Sequence, residues 1–157
     1  MTKNSIAKLV KLLKELKKDD LLPPKMPFEV WTEIMTMVVA PAVEVLITRD
    51  GKDFLLTERN DKYWKGWHIP GGFMLPKEKL EDTCERLALK ELGMEVEMKE
   101  VLMIETWKNH PYYANALSIV CICHPKGEPK VGKFFTKIPI STIKEHKKFL
   151  NKFLGKK

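Results

Sequence analysis

The segment from Gly71 to Met94, GGFMLPKEKLEDTCERLALKELGM, constrains this chain more than any other. It opens on two glycines, passes through a short loop, and continues as an acidic stretch from Lys79 to Leu92 that predicts a helix. Gly93 then stands where a left-handed cap is wanted. Glycines let a backbone approach a ligand closely and expose its carbonyls, while a helix projects several carboxylates toward one divalent cation. The pattern suits phosphate chemistry, with magnesium held by carboxylates and substrate phosphates and neutralising charge at a cleaved diphosphate.

Hydrophobic periodicity lays out the rest of the chain. Ser5 to Lys18 places Ile6, Leu9, Val10, Leu13 and Leu16 on one helical face with lysines opposite, and ends at Asp19-Asp20 before Pro23-Pro24. This predicts an amphipathic helix packed on the domain or on a second subunit, in preference to one lying on a membrane surface. Residues 1–26 read as that basic helix with its Pro-containing linker, and 27–157 as one domain. Phe28 to Met37 predicts a second short helix. Val38 to Thr48 reads as a buried strand, Arg49 to Lys52 as its turn and Phe54 to Arg59 as the returning strand. Asn60 to Gly72 is expected to be a loop. Val96 to Trp107 and Leu117 to Cys123 are expected strands joined by a loop over Lys108 to Ala116, followed by a short strand, Phe134 to Ile138, and a basic helix, Ile143 to Leu154. Helices interleaved with a mixed sheet imply an α/β or α+β sandwich.

Composition narrows the function classes. A chain of 157 residues with 44% hydrophobic and 31% charged residues is an ordinary globule rather than a fibre or a disordered tail. Its longest apolar run, Ile34 to Ile47, is interrupted by Pro41 and Glu44 and falls short of the roughly 20 residues that cross a bilayer. Lys8, Lys11 and Lys14 break any apolar core of a secretory signal, so the expected location is the cytoplasm, with no membrane partner. Cys84, Cys121 and Cys123 lack metal-site spacing and read as reduced, buried thiols. The net charge of +7 sits at the two ends: six Lys against Glu15 in residues 1–18, ten Lys against Glu128 and Glu145 in 126–157. Such ends suit a polyanion such as RNA, but with Arg only at 49, 59 and 86 a solvated lysine face is the commoner meaning.

The Gly71–Met94 segment resembles the box of the Nudix hydrolase family, G-x5-E-x7-R-E-U-x-E-E-x-G-U with U aliphatic. Gly72, Glu78, Arg86, Ala88, Glu91, Gly93 and Met94 fall in register, preceded by Trp67-His68-Ile69-Pro70-Gly71. The resemblance extends from Val38 to Ile138. It implies the Nudix fold, an α/β/α sandwich with a mixed β-sheet, and a hydrolase of a nucleoside diphosphate derivative that uses Mg2+ or Mn2+. Leu87 and Lys90 depart from the box, standing where it has glutamates. Arg86-Leu87 with Glu91-Leu92-Gly93 looks like the GDP-mannose mannosyl hydrolase branch, which attacks the anomeric carbon of a nucleotide sugar with one magnesium, so a nucleotide sugar is the leading substrate class. That branch has an Arg after the double glycine, where this chain has Phe73, and a Gln-His pair that residues 129–132 lack. The alternative is a catalytically impaired module that binds a nucleotide or RNA.

Carried over by position, the resemblance implies Glu91 as metal ligand, a backbone carbonyl from Gly71 or Gly72, and Arg59 at the diphosphate. Glu78, within the box, and Glu105, late in a strand, are further candidate carboxylates for the metal. His68 and His110 are candidate bases, each with a structural or surface reading beside it. Arg86 is a candidate catalytic residue whose competing role is a salt bridge orienting loop and helix. Trp67 and Lys90 are candidate substrate contacts; Trp64, Trp107 and Tyr112-Tyr113 share the choice between stacking on a base and filling the core. The expected partners are a nucleotide-type small molecule and, at the N-terminal helix, a second copy of the chain.

Overall fold

A computed structural model describes residues 2–21, 23, 25–110 and 113–155, with backbone alone at 108–110 and 113–115. In chain order the elements are α1 (Lys3–Lys18), α2 (Phe28–Met37), β1 (Ala40–Ile47), β2 (Phe54–Asn60), β3 (Lys65–His68), β4 (Gly71–Phe73), α3 (Leu80–Leu92), β5 (Val96–His110), β6 (Tyr113–Pro125), β7 (Lys133–Phe135) and α4 (Lys144–Leu154). One sheet has the order β4-β1-β6-β5 and a second the order β3-β2-β7. The first is mixed: β1 runs parallel to β6 and antiparallel to β4, and β5 is antiparallel to β6.

Strand β1 is buried along nearly all its length because both of its faces are covered. Val43, Val45 and Ile47 pack with Cys121 and Cys123 of β6 against Cys84, Leu87, Ala88 and Leu92 of α3. The opposite face, through Leu46, Val120 and Ile122, joins Phe54, Leu56 and Ile69 beneath Phe149, Leu150 and Phe153 of α4. Helices therefore cover both sides of a mixed sheet, the α/β/α sandwich that the family resemblance implies. All three cysteines are buried and unpaired by disulfides, as expected.

Two sequence expectations are corrected. The stretch Asn60–Gly72 is not a loop throughout: β3 pairs with β2, and β4 pairs with β1 through Ala42↔Phe73 and Glu44↔Gly71. Glycine has poor strand propensity, and here long-range pairing overrides it. The ribbon β5–β6 runs through most of the loop expected over Lys108–Ala116, because its cross-strand hydrogen bonds extend beyond the apolar side chains that marked the strands; Tyr112 lies outside the described residues. Helix α1 buries none of its residues.

The join between β3 and α4 sets the position of α4. Trp67 N–H donates to the Ser141 carbonyl at 3.1 Å, and Ile143 N–H to the Trp67 carbonyl at 2.9 Å. Gly66, at φ +130°, makes this approach feasible: a Cβ there would lie 1.9 Å from the Ser141 oxygen. Gly66→Ala is expected to cost about 3 kcal/mol or more in urea unfolding, whereas Gly127→Ala, with open space around its Cβ position, should stay within about 0.5 kcal/mol of wild type.

Candidate active site

The loop between β4 and α3 is held by one ion pair. Arg86 Nη2 donates to Glu78 Oε2 at 2.8 Å and to the Phe73 carbonyl at 2.9 Å, while its Nε pairs with Glu78 Oε1. Glu78 also accepts from Leu75 N–H and the Thr83 hydroxyl, each at 2.9 Å. With the guanidinium as the largest influence, the carboxyl is held down at about 2. Lys79 N–H donates to Asp82 to start α3, and Gly93, at φ 63°, supplies the left-handed turn that stops it.

This staple presents β4 to β1 at close range. A Cβ on Gly71 would lie 2.5 Å from Glu44 Oε2, and one on Gly72 would lie 2.9 Å from Leu87 Cδ2. The glycine strand thus admits Glu44 from one side and α3 from the other. Glu91 reaches round from α3 and accepts from Gly71 N–H at 3.3 Å. Both carboxylates border a cleft of about 290 Å³ or its glycine wall; Glu44, Arg59, His68, Gly71, Ser118 and His146 line it. Trp64 and Trp107 meet edge-on in its wall at 6.0 Å, and Trp31 of α2 leans on Phe73 at 5.5 Å.

Electrostatically the cleft is short of positive charge. Burial pushes Glu44 up to about 8, against the Ser118 hydroxyl that donates to its Oε1 at 3.1 Å and with the help of the Glu91 charge. Burial raises Glu91 as well, despite the Gly71 hydrogen bond and the Lys90, Arg59 and Arg86 charges. The histidines go the other way. His68 falls to about 4 and His146 to about 3, chiefly by burial, so both are neutral near pH 7. Their ring nitrogens are engaged: His68 Nδ1 lies 2.8 Å from the Ile69 carbonyl and Nε2 lies 2.9 Å from the Thr57 hydroxyl, while Ile69 N–H donates to His146 Nδ1 at 3.2 Å.

The fold brings Glu91, Gly71, Gly72, His68 and Arg59 together, with Trp64 and Trp107 in the same cleft wall, and places Glu78, Arg86, Glu105, Trp67 and Lys90 outside it. Glu78 and Arg86 spend their charges on the staple. Glu105 pairs with Lys148 of α4. Trp67 packs edge-on against Phe135, 4.9 Å away, in the core beneath α4. Lys90 is exposed on α3. His110 ends β5, and its side chain lies outside the described residues, as does Tyr112. Sequence reasoning missed Glu44, Ser118, His146 and the α2 aromatics. Glu44 carried a signal, a lone acid inside an apolar strand; His146 carried another, lying on the same helical face as Phe149, Leu150 and Phe153.

The family model for the NUDIX domain matches residues 38–137. The chain belongs to the Nudix family. Its fold is similar to a NUDIX hydrolase from Nitrosomonas europaea, with TM-score 0.63 and 16% identity over 76% of this chain and 91% of that one. It is also similar to a MutT NUDIX hydrolase from Burkholderia pseudomallei, with TM-score 0.62 and 21% identity over 73% and 98%. Among curated proteins it is 30% identical over 78 residues to the low-salt glycan biosynthesis protein Agl8 of Haloferax volcanii; the chain spans about half the length of that relative.

Nudix hydrolases generally use divalent metal ions. Among the described residues no group of three or more His, Cys, Asp or Glu is arranged to hold one. What this chain offers is Glu91, desolvated and hydrogen-bonded to Gly71 N–H, beside the half-buried backbone of a glycine strand. That oxygen donor set fits magnesium, which is commonly bound through one or two carboxylates plus substrate phosphates and keeps several waters.

The elevated Glu44 gives a test by stability. Its folded value of about 8 lies above the ordinary 4.5, so the folded state keeps a proton that the unfolded state releases. Stability present below pH 4.5 is therefore lost as pH rises toward 8. Glu44→Gln, which retains an acceptor for Ser118, is expected to remove that loss and gain on the order of 3 kcal/mol over wild type at pH 8, with little gain at pH 4, measured by urea unfolding.

Proposed function

We infer that this Nudix protein is a hydrolase of a nucleoside diphosphate derivative, assisted by one divalent cation, with a nucleotide sugar as the leading substrate class. The observation that carries this reading is the convergence of Glu91 and Glu44 on Gly71 beside Arg59, in a cleft walled by tryptophans. Glu91 and a carbonyl of the Gly71-Gly72 strand would hold the cation, which when bound would neutralise charge on the diphosphate. Arg59, paired with Asp61 and facing the cleft, meets the same diphosphate. Trp64, Trp107 and Trp31 offer faces or edges on which a base can stack.

Glu44 is the proton acceptor in this reading, in its ionised form, which becomes populated only as pH rises toward about 8, so turnover is expected to climb over that range. Neither histidine of the cleft suits that role: His68 has both nitrogens engaged, and His146 uses Nδ1 for Ile69 N–H, which leaves Nε2 carrying its proton. Glu44 is oriented by Ser118 through Oε1, with Oε2 toward Gly71. The resemblance of Arg86-Leu87 and Glu91-Leu92-Gly93 to mannosyl hydrolases favours attack at carbon. A water oxygen bonds to the anomeric carbon, the bond from that carbon to the diphosphate oxygen breaks with its electron pair going to the diphosphate, and the water's proton passes to Glu44. The similarity to a glycan biosynthesis protein agrees with a sugar-bearing substrate.

A magnesium-dependent screen over nucleotide sugars, dinucleoside polyphosphates and nucleoside triphosphates tests this. Free sugar is expected from a nucleotide sugar, with kcat/KM falling at least about 100-fold in both Glu91→Gln and Glu44→Gln. Manganese binding, followed by tryptophan fluorescence, should weaken in Glu91→Gln and persist in Glu44→Gln. Sugar phosphate as product moves the attack to phosphorus. No turnover with nucleotide still bound replaces this reading with that of a binding module.

A further inference from the structure

Helix α1 is a device the cleft does not use. Ile6, Leu9, Val10, Leu12 and Leu13 lie between 40% and 50% exposed, and no residue of the helix is buried. At 100° per residue these side chains, with Leu16, fill one arc, while Lys11, Lys14 and Lys18 fill the opposite one, flanked by Lys3 and Lys8. A helix of 16 residues without tertiary support is marginal in water, and burying its apolar arc is what would sustain it.

Charge selects the occupant. Six lysines face a single acid, Glu15, which lies 4.0 Å from Lys11. Two copies meeting stripe to stripe would set lysine-bordered flanks against each other with one glutamate apiece, an arrangement lacking the opposite charges that support helix pairing. An RNA backbone would take the lysines and leave the leucines in water. An anionic lipid surface takes both: the apolar arc enters the headgroup boundary while the lysine stems extend back to the phosphates. We propose that α1 is a peripheral membrane anchor that seats this protein on anionic lipid. Among the described residues no helix is long and apolar enough to cross a membrane, so the contact is interfacial. It is independent of the chemistry in the cleft.

Vesicle flotation of the full chain tests the anchor, comparing phosphatidylcholine alone with a mixture containing roughly a third phosphatidylglycerol. Expected are about tenfold or more binding to the anionic vesicles, loss of that excess at high salt, and a rise in helical circular dichroism on binding. Leu9→Glu/Leu13→Glu should reduce flotation to the phosphatidylcholine level with domain unfolding in urea unchanged, since neither residue is buried. Each of Lys8→Gln, Lys11→Gln and Lys14→Gln should weaken binding about fivefold. Absence of an anionic excess overturns the proposal. So does flotation that survives the double leucine change, because lysines alone would then explain it. A dimer in equilibrium sedimentation that the same leucine changes dissolve, without vesicle binding, assigns the stripe to a second copy instead; high-affinity RNA binding without vesicle binding assigns the lysines to nucleic acid.

Discussion

The cleft depends on the Arg86 guanidinium. One fork grips Glu78 through two nitrogens and the Phe73 carbonyl through a shared one, so the end of β4, the loop and the second turn of α3 are fixed to one another. Because Phe73 ends the strand that contains Gly71 and Gly72, the staple also sets how closely that strand lies to Glu44 and Leu87. A lysine could not replace it, since a single ammonium cannot match two carboxylate oxygens and a carbonyl in one plane. The pair is only part-exposed, at 30% for Arg86 and 17% for Glu78, which keeps it less screened than a surface ion pair.

What the staple holds together is an electrostatic imbalance. Glu44 and Glu91 repel one another, and the low polarity around them penalises each charge. Arg59 eases both, but Asp61 shares its charge. The domain thus pays for its cleft in stability, concentrated where chemistry is expected. A diphosphate entering beside Arg59 would sharpen the repulsion; a dication between phosphate and Glu91 would reverse its sign. The same carboxylates that cost the fold stability are, in the proposed reading, the ones that would favour a metal-bound diphosphate.

Much of this was legible in the sequence. Gly72, Glu78, Arg86, Glu91 and Gly93 are close enough along the chain for spacing alone to arrange them, and the α3 cap and both core faces of β1 follow from local pattern. The missing parts are long-range. Nothing adjacent to Glu44 announces that Ser118 and the Gly71 wall will meet it, and His146 reaches the cleft only because Gly66 lets β3 lie against Ser141. β3 and β4 escaped because a Gly-rich, Trp-rich stretch has no alternation to read, and their strand character comes from β2 and β1. Helices α2 and α4 fall outside the matched 38–137, yet each contributes to the cleft wall, through Trp31 and His146.

The departures of this box from the usual pattern become intelligible at Leu87. Its side chain is 2% exposed, lies beneath Gly72 and belongs to the apolar cluster between α3 and the sheet. A glutamate there would be a buried charge needing a cation to sustain it, whereas leucine stabilises the same contact by burial alone. With Lys90 facing solvent, α3 is left with Glu91 as its one carboxylate near Gly71. The second comes from β1, as Glu44, on the far side of the glycine strand. One acid from a helix and one from a strand, separated by backbone, do not make a cluster for several ions. In the proposed reaction they would divide the work, with Glu91 holding a single ion and Glu44, once ionised, taking a proton.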